Sequence, residues 1–205
     1  MKRLAVAMNR REFLKKAGVG SMAFASLPTL APILARPALD DDDGRTNFFF
    51  LSFSQGGVVD GVNHRIAMAG AGKISEAGVK GGGSFTHLNA ASSVPQTVLA
   101  SGAWKAKSLV SFTLAGLWGS QFVAGILEMT VSLVADFPSR VVVPAALRVV
   151  CNLGPAGIST GEPEGFKLTV PGAPFSPFVP TTFPGTSFPF GLTLFTKGVG
   201  EGDDD

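Results

Sequence analysis

The sequence predicts an all-β fold, a single antiparallel β-barrel or β-sandwich of about eight to ten strands behind an N-terminal signal segment. Three observations carry this. First, apolar and polar residues alternate in several runs. In the clearest, Leu127, Met129, Val131 and Leu133 fall on one face and Glu128, Thr130 and Ser132 on the other. That period of two marks a half-buried antiparallel strand. Second, 26 glycines and 14 prolines punctuate the 205 residues, and long helical patterns are scarce. Many short strands broken by Gly and Pro indicate a sandwich or barrel. Third, 45% of residues are hydrophobic, enough for a sizeable core, and the aromatic set is 17 Phe, 2 Trp and no Tyr. Surfaces that read polar ligands commonly use the tyrosine hydroxyl, so a dry core or an apolar cavity fits better.

The β domain is expected over residues 46–198. Phe48–Phe53 is a short apolar strand, with Gly56-Gly57 as its turn. Val62–Ile74 alternates, placing Val62, His64, Ile66 and Met68 on one face. Gly70 and Gly72 indicate a bulge or close strand packing near its end. Gly81-Gly82-Gly83 leads into Ser84–Leu88, giving a long hairpin that turns near Glu76-Ala77-Gly78. No Lys-Ser/Thr and no helix start follow these glycines, so they do not form a phosphate-binding loop. Val94–Leu99 reads as a turn and a short strand. A central meander of three runs follows, Trp104–Leu114, Phe122–Val134 and Arg140–Asn152. Leu153–Phe166 is a loop rich in breakers, Phe166–Val170 a short strand, and Gly191–Phe195 the closing strand. Between these last two, Pro171, Pro174, Pro177 and Pro180 recur every three residues, the period of polyproline II. Phe175, Phe178, Phe183, Phe188 and Phe190 are interleaved with them. This Pro/Phe-rich loop, 171–190, either caps the end of the core or forms a lid or docking surface.

Charge divides the chain. Six of the 17 basic residues lie in the first sixteen positions, and beyond Ala35 there remain 11 basic and 14 acidic residues, a net −3. That balance carries no footprint for nucleic acid or anionic membrane. The single cysteine, Cys151, cannot make an internal disulfide. It alternates with Leu147 and Val149 and reads as a core residue. Residues 36–46, with Asp40–Asp43, form an acidic linker, and 199–205 an acidic tail. Like-charge runs of this kind stay solvated, and Asp40–Asp43 lacks the spacing of an EF-hand loop.

Residues 1–35 hold the most specific motif. Asn9-Arg10-Arg11-Glu12-Phe13-Leu14-Lys15-Lys16 is followed by a weakly hydrophobic run broken by Pro28 and Pro32. This segment resembles the twin-arginine (Tat) export signal, with Arg10, Arg11, Phe13, Leu14 and Lys15 at the motif positions. The resemblance implies a prokaryotic protein that meets the Tat translocase, crosses the membrane folded, and ends periplasmic or extracellular. The run is too interrupted for a permanent membrane span. Cleavage is expected near Ala35, although Ile33 departs from the usual Ala-x-Ala. Beyond the signal the residues resemble no characterised family.

No motif specifies chemistry. There is no Gly-x-Ser-x-Gly elbow, and Cys151 has no companion base. Two histidines and one cysteine have no zinc-ligand spacing, so neither metal nor cofactor is expected. The candidate ligand-binding residues are His64, Glu128, Arg148, Phe175 and Phe178. His64 shares its face with Ile66 and Met68 and is expected to point inward. Glu128 and Arg148 lie opposite the apolar faces of their strands, either buried with partners or on a wet face. His87 reads as a strand-end residue. The functional expectation is a non-catalytic module that binds an apolar small molecule or a partner. The alternatives are a small-barrel enzyme of cyclase or isomerase type, an analogy of fold class alone, and a structural or adhesive protein.

Overall fold

The structure is a computed structural model that describes residues 45–91, 96–182 and 189–198. The export motif, most of the acidic linker, the acidic tail, Phe183 and Phe188 lie outside these residues. The strands are β1 (Thr46–Val59), β2 (Val62–Ser75), β3 (Gly78–Asn89), β4 (Thr97–Trp118), β5 (Phe122–Phe137), β6 (Val141–Cys151), β7 (Gly165–Thr169), β8 (Val179–Pro180) and β9 (Gly191–Lys197). They form one antiparallel sheet in the order β4-β3-β2-β1-β9-β5-β6-β7, with β8 beside β1. Because β4 also pairs with β5, the sheet curls back on itself into a ring. The all-β expectation holds, with nine strands. Among the described residues no helix is long and apolar enough to cross a membrane.

The alternation seen in the sequence sets which face turns inward. Leu127, Met129, Val131 and Leu133 are buried, and Glu128 lies on the other face. From β1, Phe48, Phe50, Ser52 and Ser54 point in; from β2, His64, Ile66 and Met68. One contiguous apolar cluster results, with Trp104, Phe50, Phe166, Phe178 and Phe195 as its largest fully buried members.

Three local expectations are corrected. Gly56-Gly57 does not end β1. The strand continues through a register shift between Gln55 and Val58, and the hairpin turns at Asp60-Gly61, with φ of 50° and 76°. Two successive positive φ values define the tight turn whose twist matches paired strands, and Asp-Gly is its preferred sequence. Thr97–Trp118 is one strand of 22 residues, not two pieces. Its pairing with β5 slips four times, and the three slips that add a residue to β4 break its period of two. Finally, Pro171–Pro177 is not polyproline II, a conformation without internal hydrogen bonds. Ala173 N–H donates to the Val170 carbonyl and Ser176 N–H to that of Ala173, so the segment folds into successive turns.

The paired glycines of β2 and β3 do serve close packing. Gly70 stands opposite Gly83, and Gly83 opposite Trp104. A Cβ on Gly70 would come within 2.0 Å of the Trp104 ring, so only glycine lets that indole lie against the sheet. The indole N–H donates to the Ala69 carbonyl at 3.0 Å, which satisfies the one polar atom of the buried ring.

Candidate functional site at the Phe175 end of the ring

The candidate site grows from the pairing of β2 with β3. Ile66 stands opposite His87, and His64 opposite Asn89. Directly opposed residues in an antiparallel pair share a face, so His64 and His87 are diagonal neighbours on the inward side. Their rings meet, with His64 Nδ1 and His87 Nε2 2.8 Å apart. A hydrogen bond between two imidazoles needs one N–H donor and one lone-pair acceptor. His64 is only 8% exposed. Burial holds its pKa below the usual histidine value, and burial followed by the neighbouring His64 lowers that of His87 to about 4. Both rings are therefore neutral at pH 7.

The loop after β7 closes over this pair. Phe175 stacks on His64 with ring centroids 4.2 Å apart and 18° between planes, and Phe178 meets His87 edge-on at 5.4 Å. Gly57 N–H donates to the Phe175 carbonyl at 2.9 Å. A Cβ on Gly56 would lie 2.7 Å from that carbonyl and 3.0 Å from the Phe178 ring. The Gly56-Gly57 irregularity is thus the seat of the loop. Phe178 exchanges backbone hydrogen bonds with Leu168 of β7, and the next residues, β8, pair with β1. Phe178 is 1% exposed and belongs to the core, whereas Phe175 is half-buried above it.

Side-chain amides brace the same end. Gln55 donates through Nε2 to the His64 carbonyl at 2.7 Å and accepts from Arg65 Nε at 3.1 Å. Asn89 Oδ1 accepts from the backbone N–H groups of Asn63 and Ala91. Among the described residues no buried side-chain polar atom lacks a hydrogen-bond partner. The far nitrogens of the pair, His64 Nε2 and His87 Nδ1, have no hydrogen bond to any described residue. Since neither is a buried orphan, the pair keeps one donor and one acceptor beyond its mutual hydrogen bond.

Of the sequence candidates, the fold brings together His64, Phe175 and Phe178. Glu128 and Arg148 lie elsewhere, opposite each other on the outer face of β5 and β6. Arg148 binds Glu128 through Nη1, and Glu162 through Nε and Nη2. Ser111 donates to Glu128 at 2.7 Å. That hydrogen bond, then those from Arg148, hold the Glu128 carboxyl below its ordinary value against the opposing effect of burial. Burial lowers the Arg148 pKa, but the two carboxylates outweigh it and the net shift is upward. Arg148 and Glu128 side chains are 31% and 34% exposed, so this is a solvated ionic cluster. His87, read from the sequence as a strand-end residue and not as a candidate, joins His64 at the site. Its face, shared with Phe85, was the available signal.

Two further features complete the chemistry. Cys151 is fully buried, donates to the Thr193 carbonyl at 3.6 Å, and burial pushes its thiol up to about 11. It is a core residue rather than a nucleophile. An open cleft of about 250 Å³ is lined by Asn152, Glu162, Glu164, Pro180 and Thr181 among others. It is not bordered by Phe175 or Phe178, the rings expected to frame a cavity. Among the described residues no three or more His, Cys, Asp or Glu converge as metal ligands. Comparison with family models, curated proteins and solved structures gives no match.

Proposed function

We propose that this chain is an exported, non-catalytic binding module. In this reading it takes an apolar small molecule bearing one hydroxyl or carbonyl at the His64–His87 mouth. The observation that carries the reading is the neutral imidazole pair beneath Phe175. It is a polar spot with one donor and one acceptor left over, set in an aromatic surround and covered by a half-buried ring on a loop. Small-molecule sites are typically apolar surfaces with a few placed polar groups. Because Phe178 fills the core below, the ligand takes the place of Phe175 on His64 and does not enter a hollow interior. The neutral pair also suits proton transfer, which keeps an isomerase-type enzyme as the second reading.

The test uses N-phenyl-1-naphthylamine, a neutral apolar fluorophore with one N–H. Saturable binding by the wild type, a change in affinity in Phe175→Ala, and shifted ring ¹⁵N resonances of His64 and His87 are expected. If neither protein binds the probe saturably, the ligand reading fails and a structural or partner-binding protein remains. Export has its own test. Replacing Arg10 and Arg11 by lysine should leave full-length precursor in the cytoplasm, because lysine does not reproduce the planar guanidinium.

A further inference from the structure

The long strand β4 has two halves with different neighbours. From Thr97 to Lys105 it lies between β3 and β5. The β3 pairing stops at Gly82 opposite Lys105, and from Ala106 to Trp118 the strand pairs with β5 alone. The backbone N–H and C=O groups on the side away from β5 have no strand beside them among the described residues. Such an edge is a template for another strand.

Natural edges are guarded by lysine, proline, inward charges or bulges. Ser108–Trp118 contains no charged residue and no proline. Only its register shifts against β5 blunt it. Instead the stretch exposes apolar side chains: Val110 at 63%, Leu114 at 55%, Trp118 at 45% and Leu117 at 41%.

We propose that this edge pairs antiparallel with the same edge of a second copy of the chain. The placement of charge suits a second copy in that orientation. Lys105 and Lys107 lie at one end only, and the other end is the neutral turn Gly119-Ser120-Gln121. A twofold axis normal to the sheet puts one residue opposite its own copy; placed at Phe112, it sets Lys107 of one copy opposite Leu117 of the other, at the neutral end. The same axis separates the two copies of Lys107 by roughly 33 Å along the strands, well beyond the ~8–10 Å screening length at physiological salt. A parallel pairing would set them side by side. A closed twofold also uses one patch twice and leaves no free edge to propagate a fibre.

The experiment is sedimentation of the full chain over a concentration series, with hydrogen exchange read at the β4 amides. The wild type should sediment as a dimer, with amides in 107–118 that lose protection on dilution. Val110→Lys and Leu117→Lys, both at exposed positions, should sediment as monomers with unchanged far-UV circular dichroism. Three results would overturn the proposal: a monomer at every concentration, a dimer that persists in both lysine variants, or edge amides protected equally at all dilutions. The last would mean that a segment of the same chain covers the edge.

Discussion

Two polar clusters occupy opposite sides of the same curled sheet. The inner one, His64 with His87, is packed under aromatic rings and is neutral. The outer one, Arg148 with Glu128 and Glu162, is charged and half-exposed. The difference lies in solvent. Burying an unpaired charge costs several kcal/mol, so an interior polar group survives by being uncharged and hydrogen-bonded. On the outer face water offsets most of the cost, and carboxylates can crowd a guanidinium there. The inner pair therefore depends on its cap, and the outer cluster does not.

Removing the cap's buried ring should have the largest effect. Phe178→Ala is expected to lose about 3–5 kcal/mol in urea denaturation, the range for a buried phenylalanine, and Met129→Ala on β5 about 2–5 kcal/mol. Phe175→Ala, at a half-buried position, should lose about 1 kcal/mol, the centre of ordinary point substitutions. Equal losses for Phe175 and Phe178 would erase the distinction between lid and core.

Acidification comes next. An unfolded histidine titrates near ~6.5, and folded His87 near about 4. Between these values the unfolded chain holds more protons, so stability falls as pH drops through that window. Above about 6.5 both states are neutral and the effect is absent. Comparing melting temperatures of wild type and His87→Gln from pH 7 to pH 4 isolates it from carboxylate titration. The wild type should lose more over that interval, and parallel curves would mean that the pair is not buried as described.

The outer cluster should matter less. Arg148→Met is expected to cost at most about 1 kcal/mol, as for exposed ion pairs. A loss comparable to that of Phe178→Ala would place the cluster in the core. The smallest effect is kinetic silence at Cys151. Ellman's reagent should not react with the folded protein and should react once urea unfolds it, because a thiol raised to about 11 and fully buried holds almost no thiolate at pH 8.

The inner cluster was only half legible in the sequence, for physical reasons. The alternation around Leu127–Leu133 is a property of one strand, so the sequence alone places the core face of β5 correctly. His64 follows by the same logic from Ile66 and Met68. What joins His64 to His87 is the register of β2 on β3, and what brings Phe175 onto them is a contact across 111 positions of chain. Neither leaves a trace in a local pattern. The β4 slips hide its continuity, because three of the four insert a residue into β4 and exchange its inward and outward sets. The turn lies at Asp60-Gly61, a hairpin dipeptide legible in the sequence, while the nearby Gly56-Gly57 answers to the Phe175 loop instead.

The pairing of β1 with β9 sets the order in which the domain can be made. Thr46 stands opposite Lys197 and Phe48 opposite Phe195, so the first strand waits for the last. Until β9 is synthesised, one side of Phe48-Phe49-Phe50-Leu51 has no partner over that length, and four consecutive large apolar residues lie along it. Such long-range closure is slow, because the entropy of a large loop is lost before the contact is gained. An open apolar edge during that interval is where chains join one another instead. The chain is thus prone to aggregate until β9 is made, and the seven residues of β9 end that interval.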